Sequence, residues 1–191
     1  MLGIESAIIS TLIKQKNYTQ LDQAKIRFGM QIILSNVYKT IIIYGIALVL
    51  NCIVPTLIAH LTFYLLRKKC FGYHFSTTFT CILWSIIAFP FLSAFFVVFQ
   101  IPQWLIWGIS IFSVYIIFAY APVETLKHRI VNEEHHNYLK KHARIRLFVV
   151  IIFIKILPID FQIFVVQGLF IQGLAILIQI ILGGKTHESN L

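Results

Sequence analysis

Apolar positions run almost unbroken from Thr40 to Leu66, from about 78 to 100, from 102 to 121 and from 147 to 182, while charged residues gather between these runs. A helix of about 20 apolar residues spans a hydrocarbon core of roughly 30 Å, so the pattern predicts membrane helices. The run 40–66 is interrupted by Asn51, Pro55 and His60. A single pass would put Lys39 and the Arg67–Lys69 cluster on opposite sides of the bilayer, against the tendency of basic residues to stay inside. A hairpin broken around Asn51 to Pro55 is therefore expected. Gln100-Ile-Pro-Gln103 supplies turn chemistry for a second hairpin, and a break near Pro158 and Asp160, ahead of Lys185, makes a third.

Ahead of these runs, residues 3–38 place Ile4, Ile8, Ile9 and Leu12, then Ile26, Met30, Ile33, Leu34 and Val37, at helical spacing among Lys14, Lys16, Lys25, Arg27 and Lys39. That spacing suits basic amphipathic helices on an anionic leaflet or against the protein's own bundle. The expected fold class is all-α: a polytopic helical membrane protein with up to six membrane segments as three hairpins, N-terminal basic amphipathic helices and both termini inside. It reads as one domain over 1–191, with 1–38 interfacial, 39–185 carrying the membrane helices and 122–146 forming a cytoplasmic loop.

Composition agrees with the pattern. The chain is 59% hydrophobic and 12% charged, well outside the usage of soluble domains. Lys and Arg outnumber Asp and Glu by 16 to 7, which in so apolar a chain points to orientation and to anionic lipid headgroups rather than to nucleic acid. The amino terminus lacks the basic n-region and cleavage site of a signal peptide. Cys52, Cys70 and Cys81 form no CxxC pair and cannot all pair within one chain, so at least one thiol is free. Glu133, Glu134, His135, His136 and His142 lack HExxH-type spacing and read as a solvated loop. No metal or cofactor is expected.

The chemistry concentrates in RKKCFGYHFSTTFTC, residues 67–81. On one straight helix His74 and Cys81 would sit roughly 10 Å apart along the axis, out of contact. Gly72 can loosen the backbone, and Ser76, followed by Thr77 and Thr78, is an N-cap candidate. A helix starting near Ser76 leaves His74 in the preceding turn, free to fold back towards a thiol near the helix N-terminus and the basic cluster, a setting that favours thiolate. Against this stands the plainer reading, in which a membrane cysteine is a packing residue and Cys70, four residues before His74, is its helical neighbour. His60 and Lys155 lie in apolar runs, and Lys155 can snorkel or pair with Asp160.

At these residues the chain resembles the accessory gene regulator B family of membrane peptidases of Gram-positive quorum sensing. The resemblance rests on Arg67, Gly72-Tyr73-His74, Ser76-Thr77-Thr78-Phe79 and Cys81, and extends to RFGMQIILSNVYK, LTFYLLRKK and Tyr120-Ala121-Pro122 followed by a basic loop. It implies a cysteine endopeptidase that trims the carboxy-terminal tail of a small propeptide and closes the remainder into a thiolactone. By position, Cys81 would be the nucleophile and His74 the general base, with Arg67 and Gly72 supporting the site. The family's lysine run after Ala-Pro is replaced here by APVETLKHRIV, leaving Lys127 and Arg129 as candidate substrate contacts.

The implied partners are a propeptide with an amphipathic leader and an acidic tail, the anionic lipid membrane and, as a family-level expectation, a second copy of the chain. The implied place is the cell membrane, with the active site at its cytoplasmic side. The competing class is a membrane peptide exporter or signalling scaffold that uses Asn51, His60 and Lys155 as a polar path.

Overall fold

A computed structural model of the chain describes residues 19–73, 75, 77–99, 101–125, 130 and 132–188. The chain divides into two units, residues 1–45 and 46–191. Helix α1, Gln20–Val49, makes up the described part of the first unit and gives its last turn to the second. It continues without interruption past Lys39, where the sequence places the boundary between interfacial and membrane segments. Thr19 opens it, its Oγ1 accepting the Asp22 N–H at 3.2 Å, the usual way a hydroxyl satisfies an orphan helix donor. The first expected amphipathic helix lies outside the described residues.

The break expected at Asn51 to Pro55 is present. Asn51 has φ 52°. Its N–H donates to Leu48 O at 3.1 Å and the Cys52 N–H to Ala47 O at 2.9 Å. These two bonds satisfy the carbonyls that end a helix on a left-handed residue, a position asparagine tolerates. Helix α2, Ile53–Cys70, follows, with Pro55 in its first turn, where no intrahelical N–H bond is lost.

The second unit continues as α3 (Thr78–Ile86), a π-helical turn (Ile87–Phe91) and α4 (Leu92–Val98), then α5 (Gln103–Tyr120), α6 (Glu133–Ile156) and α7 (Ile159–Glu188). Among the described residues there is no strand beyond an isolated bridge between Phe71 and Val123. Four segments are long and apolar enough to cross a membrane: Gln20–Val49, Thr78–Val98, Gln103–Tyr120 and Ile159–Leu182. The turns at Pro102 and Pro158 fall where the sequence predicts them. The chain is thus a polytopic helical membrane protein. The apolar stretch of α2 from Ile53 to Leu66, about 14 residues or roughly 21 Å of helix, is shorter than a bilayer core.

At the centre of the second unit α7 packs against α2 and α5. Gly168 makes the first contact possible: a Cβ there would collide with Ala59 O and lie 2.8 Å from Thr62 Cβ. In lipid, where no hydrophobic force drives helices together, such small-residue contacts let backbones approach and gain dispersion. Residues 133–146, expected as loop, are instead the first part of α6, capped by the Asn132 side chain, because Leu139, Ala143, Leu147, Val150 and Ile154 fall at helical spacing and make its buried stripe. Arg146 Nη1 donates to Leu65 O at 2.8 Å, tying α6 to α2.

Pro90 lacks an N–H and sits in the π-helical turn, where the ladder of helical hydrogen bonds is interrupted. Gln167 of α7 compensates, its Nε2 donating to Ala88 O at 2.8 Å while its Oε1 accepts from Ser93 Oγ at 3.1 Å. The Cys52 thiol donates to Pro90 O at 3.5 Å. These side chains occupy the otherwise open carbonyls that a proline leaves in a membrane helix.

Candidate functional site

The site is built around the gap between α2 and α3. Helix α2 stops at Cys70 because Phe71 takes φ 55°, ψ −145° and Gly72 φ 122°. The first is a sparsely populated region for a residue with a side chain, and strain of about 1–3 kcal/mol persists only where neighbours hold it.

Three elements do so here. Arg67 spends its guanidinium on the loop: Nη1 donates to Phe71 O at 3.0 Å, and Nη2 to Gly72 O at 2.9 Å and Tyr73 O at 2.6 Å. Gln172 Nε2 donates to the same Phe71 carbonyl at 2.7 Å. The Tyr73 N–H donates to Ala175 O on α7 at 2.8 Å, and the Val123 N–H, just beyond α5, to Cys70 O at 3.1 Å. Gly72 is required on two counts, its positive φ and its surroundings: a Cβ would lie 2.8 Å from Arg67 Nη1 and 3.0 Å from Ala175 O.

Helix α3 begins where the capping chemistry ends the loop. Thr77 is its N-cap, its side chain accepting the Thr80 N–H at 3.2 Å. The start is one residue later than the Ser76 expectation; Ser76 itself lies outside the described residues. Cys81 therefore stands at the end of the first turn, its N–H donating to Thr77 O at 3.2 Å and its carbonyl accepting from Ser85 Oγ at 2.8 Å. A straight helix through residues 67–81 is excluded. One turn further on, Trp84 stacks on Phe75 at 5.6 Å and 11°, and Phe75 meets Tyr73 edge-on at 5.2 Å. This aromatic chain sets the start of α3 against the loop.

The two candidate thiols differ sharply. Cys70 is fully buried. Burial pushes its thiol up to about 12, with Arg146 and Arg67 pulling partly the other way. Such a group stays protonated and is a poor nucleophile. Cys81 is half-buried. It also lies within electrostatic reach of Arg67: burial draws the guanidinium down to about 10, and Cys81 and then Cys70 oppose that shift. Arg67 therefore remains a cation at neutral pH.

The structure thus joins Arg67 and Gly72 in one clamped loop, with Cys81 within electrostatic reach of Arg67. His74, Lys127 and Arg129 lie outside the described residues. Their flanks are placed: Tyr73 and Phe75 bracket position 74, and Glu124 Oε1 accepts the Ile130 N–H at 2.8 Å. The bond from Val123 to Cys70 O puts Val123 beside the loop. The Ala121–Pro122 peptide is cis.

His60 and Lys155 are not part of this cluster. The His60 ring lies 4.8 Å from Phe89, and Lys155 Nζ stands 4.3 Å over the Trp107 ring, a cation–π seat rather than the Asp160 pairing weighed from sequence. Sequence reasoning passed over Gln172 and Gln167. The signal was present, since an amide inside an apolar run is costly enough to mark a partner.

The family profile described as Accessory gene regulator B matches residues 6–183. The chain is 34% identical to an accessory gene regulator protein B from Staphylococcus intermedius over 176 residues, 92% of each chain. It is 31% identical to one from Staphylococcus aureus strain MW2 over 170 residues, 87% of this chain and 88% of the relative. No solved structure matches. The chain carrying this loop and thiol belongs to the accessory gene regulator B family of quorum-sensing membrane proteins.

Proposed function

We propose that the protein is a membrane cysteine endopeptidase that trims the carboxy-terminal tail of a small autoinducer propeptide and promotes closure of the remainder to a thiolactone. The observation that carries this reading is the half-buried Cys81, seated in the first turn of α3 beside a loop clamped by Arg67, while the competing thiol Cys70 is sealed and held protonated. A helix N-terminus and a cation are what a developing thiolate needs.

In the reaction, His74 takes the proton of Cys81 and the thiolate attacks a backbone carbonyl of the propeptide. His74 then protonates the leaving amine, and the tail departs. The acyl-enzyme thioester is resolved when an internal thiol of the peptide, as thiolate, attacks the acyl carbon. The new ring thioester forms as the bond to Cys81 breaks, and Cys81 regains a proton. Exchange of one thioester for another keeps the acyl energy, provided water is excluded. Backbone N–H groups near Thr77 and Thr78 are the candidate donors to the tetrahedral oxyanion.

A basic segment after Pro122, with Lys127 and Arg129, suits an acidic propeptide tail, and the excess of Lys and Arg over Asp and Glu, 16 to 7, suits a cytoplasmic face on anionic lipid of the cell membrane. The working unit is a homodimer in this reading.

The test is co-expression with a small propeptide that carries an amphipathic leader, an internal cysteine and an acidic tail, followed by mass analysis of the peptide. Cys81→Ser and His74→Ala should each abolish tail trimming, and Cys70→Ser should keep it. Trimming by both of the first two variants, with loss only of secretion, would instead support a peptide exporter.

A further inference from the structure

Helix α7 offers two groups, about one turn apart, to the loop ahead of Cys81: the Gln172 amide, which donates to Phe71 O at 2.7 Å, and the Ala175 carbonyl, which accepts from Tyr73 N–H at 2.8 Å. Gln172 is 0% exposed, and its Oε1 has no hydrogen-bond partner. An unpaired buried acceptor costs about 1–3 kcal/mol, and native structures keep few of them.

Packing alone does not favour an amide here, because a methionine of similar volume would fill the place without leaving an oxygen unpaired. What the amide supplies is the second donor on the Phe71 carbonyl. The first, Arg67 Nη1 at 3.0 Å, comes from α2. One carbonyl of a strained residue is thus held from two helices, and Gly168 sets how closely those helices approach.

We propose that Gln172 is a positioning residue of the site: acting through the Phe71 carbonyl, it fixes the loop between α2 and α3 so that the loop's groups meet Cys81 in one arrangement during acyl transfer. The proposal rests on the peptidase reading. Gln172 itself touches neither thiol nor substrate; its effect passes through Phe71, Gly72 and Tyr73. Displacement of reacting groups by about 1 Å lowers rates by up to roughly 100-fold, so loss of the donor is felt in turnover rather than in affinity.

The experiment uses the full chain in lipid vesicles, with a synthetic peptide carrying an amphipathic leader, an internal cysteine and an acidic carboxy-terminal tail as the probe. Gln172→Met is expected to lower kcat about 10- to 100-fold. KM should stay within about twofold, with unchanged abundance and thermal midpoint, since the variant also removes an unpaired oxygen. Should Gln172→Met not accumulate, Gln172→Asn, polar but too short to reach Phe71 O, is expected to give the same split. A kcat within about twofold of the parent, or a loss matched by an equal loss of folded protein, overturns the proposal.

A second readout is independent of peptidase activity. Alkylation of Cys81 by iodoacetamide should slow about threefold or more in Gln172→Met, because Arg67 and the loop no longer keep one place beside the thiol. If Cys81→Ser still trims the propeptide, the peptidase reading falls, and an unchanged alkylation rate in Gln172→Met then overturns the Gln172 proposal as well.

Discussion

The backbone N–H of Tyr73 donates to the carbonyl oxygen of Ala175 at 2.8 Å, pinning the loop that precedes Cys81 to the middle of α7. Gly72, one residue earlier, has to let the chain come that close. Replacing it with alanine sets a methyl 3.0 Å from Ala175 O at φ 122°, in a region that costs a side chain about 1–3 kcal/mol before any clash. Gly72→Ala should retain its helices by circular dichroism and lose at least about 90% of propeptide trimming, because the strain falls where the loop meets Arg67 and Ala175 rather than within a helix.

Arg67 makes its three bonds as a planar fork, which an ammonium cannot reproduce. Hydrogen bonds to a charged group are worth about 1.5–3 kcal/mol each. Arg67→Lys should therefore lower trimming about 10- to 100-fold at constant protein level, as measured by quantitative mass analysis of the released tail. Retention of more than half the activity would contradict the clamp.

Thiol reactivity should separate the three cysteines. Cys52 and Cys70 are fully buried, and Cys70 is pushed up to about 12. A raised value keeps the thiol protonated below it, so between pH 7 and 9 Cys70 presents about one thiolate in a thousand or fewer. Iodoacetamide should add once, at Cys81, across that window, and a second adduct at Cys70 appearing by pH 9 in folded protein would refute the burial argument. Peptide mapping of the intact, membrane-embedded chain is the check.

The crossing of α2 and α7 has its own test. Gly168→Ala drives a methyl into Ala59 O and to within 3.0 Å of Phe63 N. Both are backbone atoms that cannot swing aside. Overpacking of this kind costs about 1–3 kcal/mol, so the thermal midpoint of the detergent-solubilised protein should fall by several degrees. Trimming should fall with it, since the same crossing carries Gln172 and Ala175 to the loop.

Features that depend on neighbours within a turn or two were legible in the amino-acid order: membrane helices from runs of apolar residues, and breaks at Asn51, Gly72, Pro102 and Pro158 from the backbone preferences of those residues. Legible too was that His74 and Cys81 could cooperate only across a helix start, because 1.5 Å of rise per residue is fixed geometry. Which hydroxyl of Ser76, Thr77 and Thr78 caps α3 was decided by the fold, since all three can accept the same kind of bond and the docked loop determines which one reaches Thr80. The partners of Arg67, the sealing of Cys70, and the roles of Gln167 and Gln172 were likewise decided in three dimensions. Gln172 and Phe71 lie about a hundred residues apart in the chain, and only the close approach of α7 to α2 brings a donor on one to the carbonyl of the other. Local periodicity carries no information about such a meeting; packing of small residues in lipid does.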